Sequence, residues 1–291
     1  MYRLTICFIL ALFPLACLAD GSAWLPEPSS GNINLSYIYQ SADKFYNRER
    51  RVATPGGGED LEQQTIWLTA NYALTDSLAI DLKTGWAESQ FVLAGPTISE
   101  SFDGMTDSSI GITWRFVDEW ISASGLPSMA FRIAGIIAGD YETGYINSIG
   151  DGGDGGEISL LVGKIFGDKL GLSGEIGYRD RTDGVPEEVF GNIGAYYLMG
   201  AMTASLEYKW NNSIDGLQIG EPGFAPDPVN QPMLRRFPEL EEDYRIVGFG
   251  LSFSVAETTN IGINIASVVD GRNANDSNAI GLTLGYSFDT F

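Results

Sequence analysis

The sequence predicts an all-β protein, an antiparallel transmembrane β-barrel of about twelve strands with short periplasmic turns and long extracellular loops. Three observations carry this expectation. The chain opens on an export leader. Apolar side chains alternate with small or polar ones over some twelve segments, and the connections between those segments alternate short and long.

The leader comes first. Arg3 supplies a positive start, residues 4–18 are an apolar core of signal-peptide length, and Ala19 offers a small residue for cleavage before Asp20. The expected organisation is therefore a signal peptide over 1–19 and a barrel over 20–291. Leu15-Ala16-Cys17 partly matches a lipobox, although Pro14 stands where that motif takes an aliphatic residue. Cleavage removes Cys7 and Cys17, the only cysteines, so the exported chain has no disulfide and no thiolate chemistry. No later stretch is apolar enough for a membrane helix, yet 44% of residues are hydrophobic and 36 are glycine. Apolar content without apolar runs points to alternation.

Successive strand side chains point to opposite faces, and tilted strands of ~9–11 residues cross a bilayer. The predicted strands are 32–41, 63–73, 78–89, 107–117, 128–139, 156–166, 169–181, 189–199, 201–211, 243–255, 260–269 and 279–288. In 32–41, Ile33, Leu35, Tyr37 and Tyr39 oppose Asn34 and Ser36. In 201–211, Met202, Ala204, Leu206, Tyr208 and Trp210 oppose Thr203, Ser205, Glu207, Lys209 and Asn211. In 279–288, Ile280, Leu282, Leu284, Tyr286 and Phe288 oppose Gly281, Thr283, Gly285 and Ser287. Segment 189–199 alternates least clearly.

Connections 74–77, 167–168, 199–200 and 256–259 are short, whereas 42–62, 90–106, 140–155 and 212–242 are long. Outer-membrane barrels pair short periplasmic turns with long outer loops. The long 118–127 and the short 182–188 depart from the pattern. Aromatics such as Tyr72, Trp86, Phe116, Tyr178 and Trp210 fall near strand ends, where membrane interfaces place them. A secreted soluble sandwich would show the same period with its faces reversed. Mid-strand charges and a face rich in Gly, Ser and Thr favour the barrel.

Those charges are the candidate lumen and selectivity residues: Asp81, Lys83, Arg115, Arg132, Glu157, Glu175, Arg179, Arg181, Glu207 and Lys209. Both signs occur, so they either set a transverse field across a pore or pair off and fill a closed barrel. The proline-rich 212–242 connection, with Pro222, Pro226, Pro228, Pro232 and Pro238, is long enough to fold inward as a constriction. Nothing near the N-terminus reads as a plug or an energy-coupling segment.

The chain is strongly acidic, with 38 Asp+Glu against 17 Lys+Arg. Such a charge repels nucleic acid. Acids such as Glu59, Asp60, Glu62, Glu187 and Glu188 and those of 239–243 fall in or beside expected loops, either as solvated faces or as cation-bridged contacts to lipopolysaccharide. Residues 151–157, Asp-Gly-Gly-Asp-Gly-Gly-Glu, admit a calcium reading or a bare flexible loop; their spacing matches no EF-hand. Histidine is absent, which excludes Ser–His and Asp–His devices and His-based zinc sites. Neither an enzyme nor a cofactor is expected.

Several short motifs occur in a suggestive order. They are residues 41–46 (Ser-Ala-Asp-Lys-Phe-Tyr), 73–78 (Ala-Leu-Thr-Asp-Ser-Leu), 106–111 (Thr-Asp-Ser-Ser-Ile-Gly), 154–158 (Asp-Gly-Gly-Glu-Ile) and 177–179 (Gly-Tyr-Arg). In these the chain resembles the outer-membrane transporter family named for the MetA pathway of phenol degradation. The resemblance implies a barrel that passes small hydrophobic or aromatic solutes inward, and it brings no catalytic residues. The partners expected are outer-membrane lipid and lipopolysaccharide, the barrel-assembly machinery and small organic solutes. A non-conducting structural or adhesive barrel acting through acidic loops is the alternative.

Overall fold

A computed structural model describes residues 21–54, 60–93, 98–122, 125–224 and 236–290. The expected leader, residues 1–19, lies outside them. The strands are β1 (Ser30–Ala42), β2 (Lys44–Asn47), β3 (Arg50–Ala53), β4 (Leu61–Thr75), β5 (Leu78–Leu93), β6 (Ile98–Met105), β7 (Ser108–Val117), β8 (Ser128–Ile137), β9 (Gly155–Phe166), β10 (Leu170–Arg181), β11 (Glu188–Met199), β12 (Met202–Ser213), β13 (Asp243–Ala256), β14 (Thr259–Arg272) and β15 (Asn278–Asp289).

Twelve of them close a ring. Going round, β1 pairs with β4, then come β5 and β7, then β8 to β15 in order, and β15 returns to β1, with every pair antiparallel. The closing seam is long, from Ser30↔Asp289 to Ser41↔Asn278. Closure leaves no unpaired strand edge in the wall. All twelve expected strands are present.

Two expected loops are more ordered than the alternation suggested. β5 runs on to Leu93 and pairs with β6 above the ring, so 90–106 is largely hairpin. Within 42–62, β2 and β3 form a small hairpin that bridges to the β14–β15 connection through Phe45↔Asn275. At the other end the turns are tight, and Gly167 and Gly200 adopt φ of 59° and 68°, a region that glycine enters at little cost.

Burial is inverted relative to a soluble protein. Ile133 is 56% exposed beside Arg132 at 1%, and Ile158 is 45% exposed beside Glu157 at 4%. The outward apolar face continues round the ring through Ile33, Leu35, Ile112, Leu206, Phe249, Ile263 and Leu282. An apolar belt of this extent is stable only against lipid, which excludes the soluble sandwich. The short-turn end therefore faces the periplasm and the long loops face outward.

The largest departure concerns the N-terminal segment, which was expected to carry no plug. Residues 21–28 enter the lumen from the periplasmic end. Ala23 packs on Ala130 and Leu161, and Leu25 on Ala73 and Ala79. Trp24 lies edge-on to Tyr196, with ring centroids 6.2 Å apart, and its Nε1 donates to Glu119 Oε1 at 2.8 Å. Glu119 belongs to the long periplasmic link after β7. Its other oxygen accepts from the Ile165 N–H at 3.0 Å and lies 3.4 Å from Lys164 Nζ. That link thus latches the segment in place, which accounts for its length. The period-two pattern begins only at β1, so the segment carried no strand signal.

Candidate functional site

The site is the lumen, and strand register builds it. Glu157 on β9 stands opposite Arg179 on β10, and Arg179 stands opposite Glu188 on β11. On β7, Gly111 lies between Asp81 on β5 and Ala134 on β8. A Cβ on Gly111 would come within 2.5 Å of Asp81 Oδ2 and 2.8 Å of Arg132 Nε. A glycine is required there, because the Arg132 guanidinium crosses β7 to reach Asp81.

The result is a ladder of charges along one wall. Arg132 Nη2 meets Asp81 Oδ1 at 2.7 Å, and its Nη1 pairs with Glu157 Oε1. Arg179 meets Glu157 Oε2 at 2.9 Å and Glu188 Oε2 at 3.1 Å. Arg181 reaches Asp151 at 3.0 Å, Asp107 at 3.4 Å and Glu188 at 3.6 Å. Neutral amides extend it: Asn211 Nδ2 donates to Glu188 Oε1 and Asn192 Nδ2 to Glu175 Oε2, both at 2.7 Å. Each carboxylate leaves water only because a cation or amide donor replaces it.

All ten sequence candidates stand on the lumen face, in different circumstances. Asp81, Arg132, Glu157, Arg179 and Arg181 form the ladder, and Glu175 holds Asn192 beside it. Glu207 and Lys209, two apart on β12, pair with each other at 3.4 Å. Lys83 lies over the Trp67 ring, 4.9 Å from its centroid, a cation–π contact. Arg115 sits at the periplasmic rim, tied to Asp118 at 2.8 Å, well away from the ladder's centre.

In residues 151–157 each acid meets a donor of the protein. Asp151 binds Arg181, Asp154 accepts from the Ala138 N–H at 2.9 Å, and Glu157 joins Arg132 and Arg179. The acids of this stretch are therefore engaged by donors of the protein itself. In the outer vestibule, burial raises the pKa values of Asp151 and Glu242, and neighbouring carboxylates push both the same way. Asp151 keeps 36% of its side chain exposed. Of the proline-rich connection, residues 225–235 lie outside the described residues, and with them Pro226, Pro228 and Pro232. Among the described residues, the N-terminal segment narrows the lumen.

Sequence reasoning named neither Asp107 nor Trp24 as a lumen residue, and it set Asn34 and Asn211 on the polar face without giving them partners. Asp107 opens the expected strand 107–117 and shares the inward parity of Ser109 and Arg115, so its direction was recoverable. Trp67 was recoverable, since it occupies an inward position between Ile66 and Leu68. Between the N-terminal segment and the walls lies a cavity of 190 Å³, bordered by Trp24, Trp67, Asn34, Asn71, Glu175 and Tyr196 among others. A smaller groove of 40 Å³ follows β12 to β14 past Glu207, Gly248 and Gly262. Asn264 and Thr283 border both.

A closed twelve-strand ring, an outward apolar belt and a polar lumen define an outer-membrane β-barrel. Solved structures of this class are similar to the chain in fold. The COG4313 outer membrane channel from Pseudomonas putida F1 superposes with a TM-score of 0.65 at 10% identity, covering 91% of this chain and 97% of that one. The NanC porin does so at 0.51 and 6% identity, covering 87% and 98%. The KdgM porin gives 0.50 at 7% identity, covering 88% and 99%. No protein-family model and no curated protein matches the chain.

Proposed function

We propose that the protein is a passive outer-membrane channel for small organic solutes. The observation that carries this reading is the lumen itself. It is lined by paired charges and small polar groups, and it retains a cavity and a groove that meet at Asn264 and Thr283. A barrel built only as a structural element would fill that space with side chains. The fold shared with channels and porins supports the same reading.

The finer substrate class rests on the lining. Trp24, Trp67 and Leu25 offer apolar faces, while Asn34, Asn71, Asn192 and Thr283 offer neutral hydrogen bonds. This combination suits small solutes with an apolar body and a hydroxyl group, in keeping with the resemblance to aromatic-solute transporters. The ladder gives the passage a fixed transverse field, in which Arg132, Arg179 and Arg181 would act as orienting groups. Lipid surrounds the belt, lipopolysaccharide contacts the acidic outer loops, and the barrel-assembly machinery inserts the chain. No catalytic step is part of this reading.

Liposome swelling tests it. Vesicles holding the protein should swell in small uncharged polyols and sugars, which bare lipid excludes, faster than empty vesicles, with the rate falling steeply as solute size grows. Swelling equal to that of empty vesicles for every solute would instead favour the non-conducting barrel.

A further inference from the structure

The lumen has two unlike walls. Strands β13, β14, β15, β1 and β4 are consecutive around the ring. Their inward positions within 246–254, 260–268, 279–287, 32–40 and 61–73 include no charged residue. Every lumenal ion pair described above belongs to the other side.

Glycine geometry separates the walls further. On the charged side most inward glycines are covered: Gly111 by Asp81 and Arg132, Gly177 by the Phe190 ring at 2.3 Å, and Gly163 by Trp24 at 2.7 Å, while Gly171, near the periplasmic end, has the Trp24 ring at 3.6 Å. On the uncharged side, a Cβ on Gly248 or Gly262 would meet nothing closer than 3.7 Å. Gly281 and Gly285 receive the amides of Asn264 and Asn260, as near as 2.2 and 2.5 Å to where a Cβ would stand. Those side chains therefore lie flat on the wall and do not cross the lumen. The N-terminal segment touches this face only at the periplasmic end, where Leu25 packs on Ala73, and otherwise lies on the other side. Gly21, Ala23 and Trp24 rest against Arg132, Leu161, Ala130 and Tyr196.

We propose that solutes cross along the uncharged wall and that Gly248 and Gly262 set the width of that path. The inference rests on the channel reading above and goes beyond it by assigning the route. The ladder then serves as the opposite, rigid wall, shaping the field without being touched by the solute. An uncharged solute gains most from such a route, because it needs no ion pair to open.

Single cysteines at Gly248→Cys, Gly262→Cys and Ser159→Cys test this in planar bilayers. Ser159 faces Arg132 across β8 and β9 on the charged wall and is 3% exposed. A methanethiosulfonate reagent carrying a sulfonate forms a mixed disulfide with each thiol and releases methanesulfinate. The unsubstituted protein controls for Cys7 and Cys17. Modification at 248 and at 262 should each lower single-channel current at least about twofold, with little change at 159. Insensitivity at either glycine position overturns the route, as does an equal loss at 159. A thiol that the reagent never reaches counts the same way, since a solute path must be open to it. If the unsubstituted protein carries no current, the channel reading falls and the route with it. If it conducts and the cysteines fail, only the route falls.

Discussion

Replacing Arg132 by Met tests the physical basis of the ladder. The guanidinium is 1% exposed and holds Asp81 and Glu157, whose side chains are 17% and 2% exposed. Removing it strands two carboxylates in a poorly solvated place, and breaking a buried pair from one side costs about 3–5 kcal/mol. Glu157 keeps Arg179 at 2.9 Å and Asp81 has some access to the lumen, so the expected loss is about 3 kcal/mol, the lower end. Asp81→Asn should cost less, because Arg132 still meets Glu157. In the double variant the stranded Asp81 charge is gone, so the two losses should fall short of additivity by roughly 1–2 kcal/mol. The assay is reversible urea unfolding in lipid vesicles, followed by tryptophan fluorescence. An R132M loss below about 1 kcal/mol, or strict additivity with D81N, would refute the claim that this pair is buried and coupled.

Other consequences follow from the same geometry. Gly111→Ala should cost about 1–3 kcal/mol in that unfolding assay, because its methyl must displace the Asp81–Arg132 bridge; an unchanged transition would contradict the packing. The lumen carries Asp81, Asp107, Asp151, Glu157, Glu175, Glu188 and Glu207 against Lys83, Arg115, Arg132, Arg179, Arg181 and Lys209, so the reversal potential in a KCl gradient should show a mild preference for K⁺, reduced by Glu207→Gln. Asp151 and Glu242 have raised pKa values in the folded vestibule. Their stabilising contribution is therefore complete below the usual carboxylate range and lost as pH rises through the raised values. Hydrogen exchange in 138–154 and 236–242, corrected for intrinsic rate, should slow on going from neutral to mildly acidic pH, and E242Q should flatten that dependence. Trp24→Ala removes the ring set between Gly163 and Tyr196 together with its bond to Glu119, so conductance should rise about twofold or more.

Strands were legible because a barrel wall obeys one simple rule, inward polar or small and outward apolar, at most positions. Ile133 beside Arg132, or Leu206 beside Glu207, announces both the strand and its faces. Loop content was less legible. β2, β3 and β6 are short or extend beyond the bilayer, where no apolar face is required and the alternation fades. Inward charges such as Arg132 and Arg179 could be placed on the lumen face from parity alone. Their partners could not, because pairing depends on register: Arg132 reaches Asp81 two strands away only because Gly111 stands between. The N-terminal segment was invisible for another reason. Its contacts, Trp24 with Glu119 and Leu25 with Ala73 and Ala79, are irregular packing that no period records.

Single-channel recording of the refolded protein in a planar bilayer tests the central claim most directly. The account predicts stable unitary steps, small in size because residues 21–28 narrow the lumen, with brief interruptions when an uncharged solute such as phenol is added. A correctly folded barrel that inserts and carries no current under any condition would contradict it.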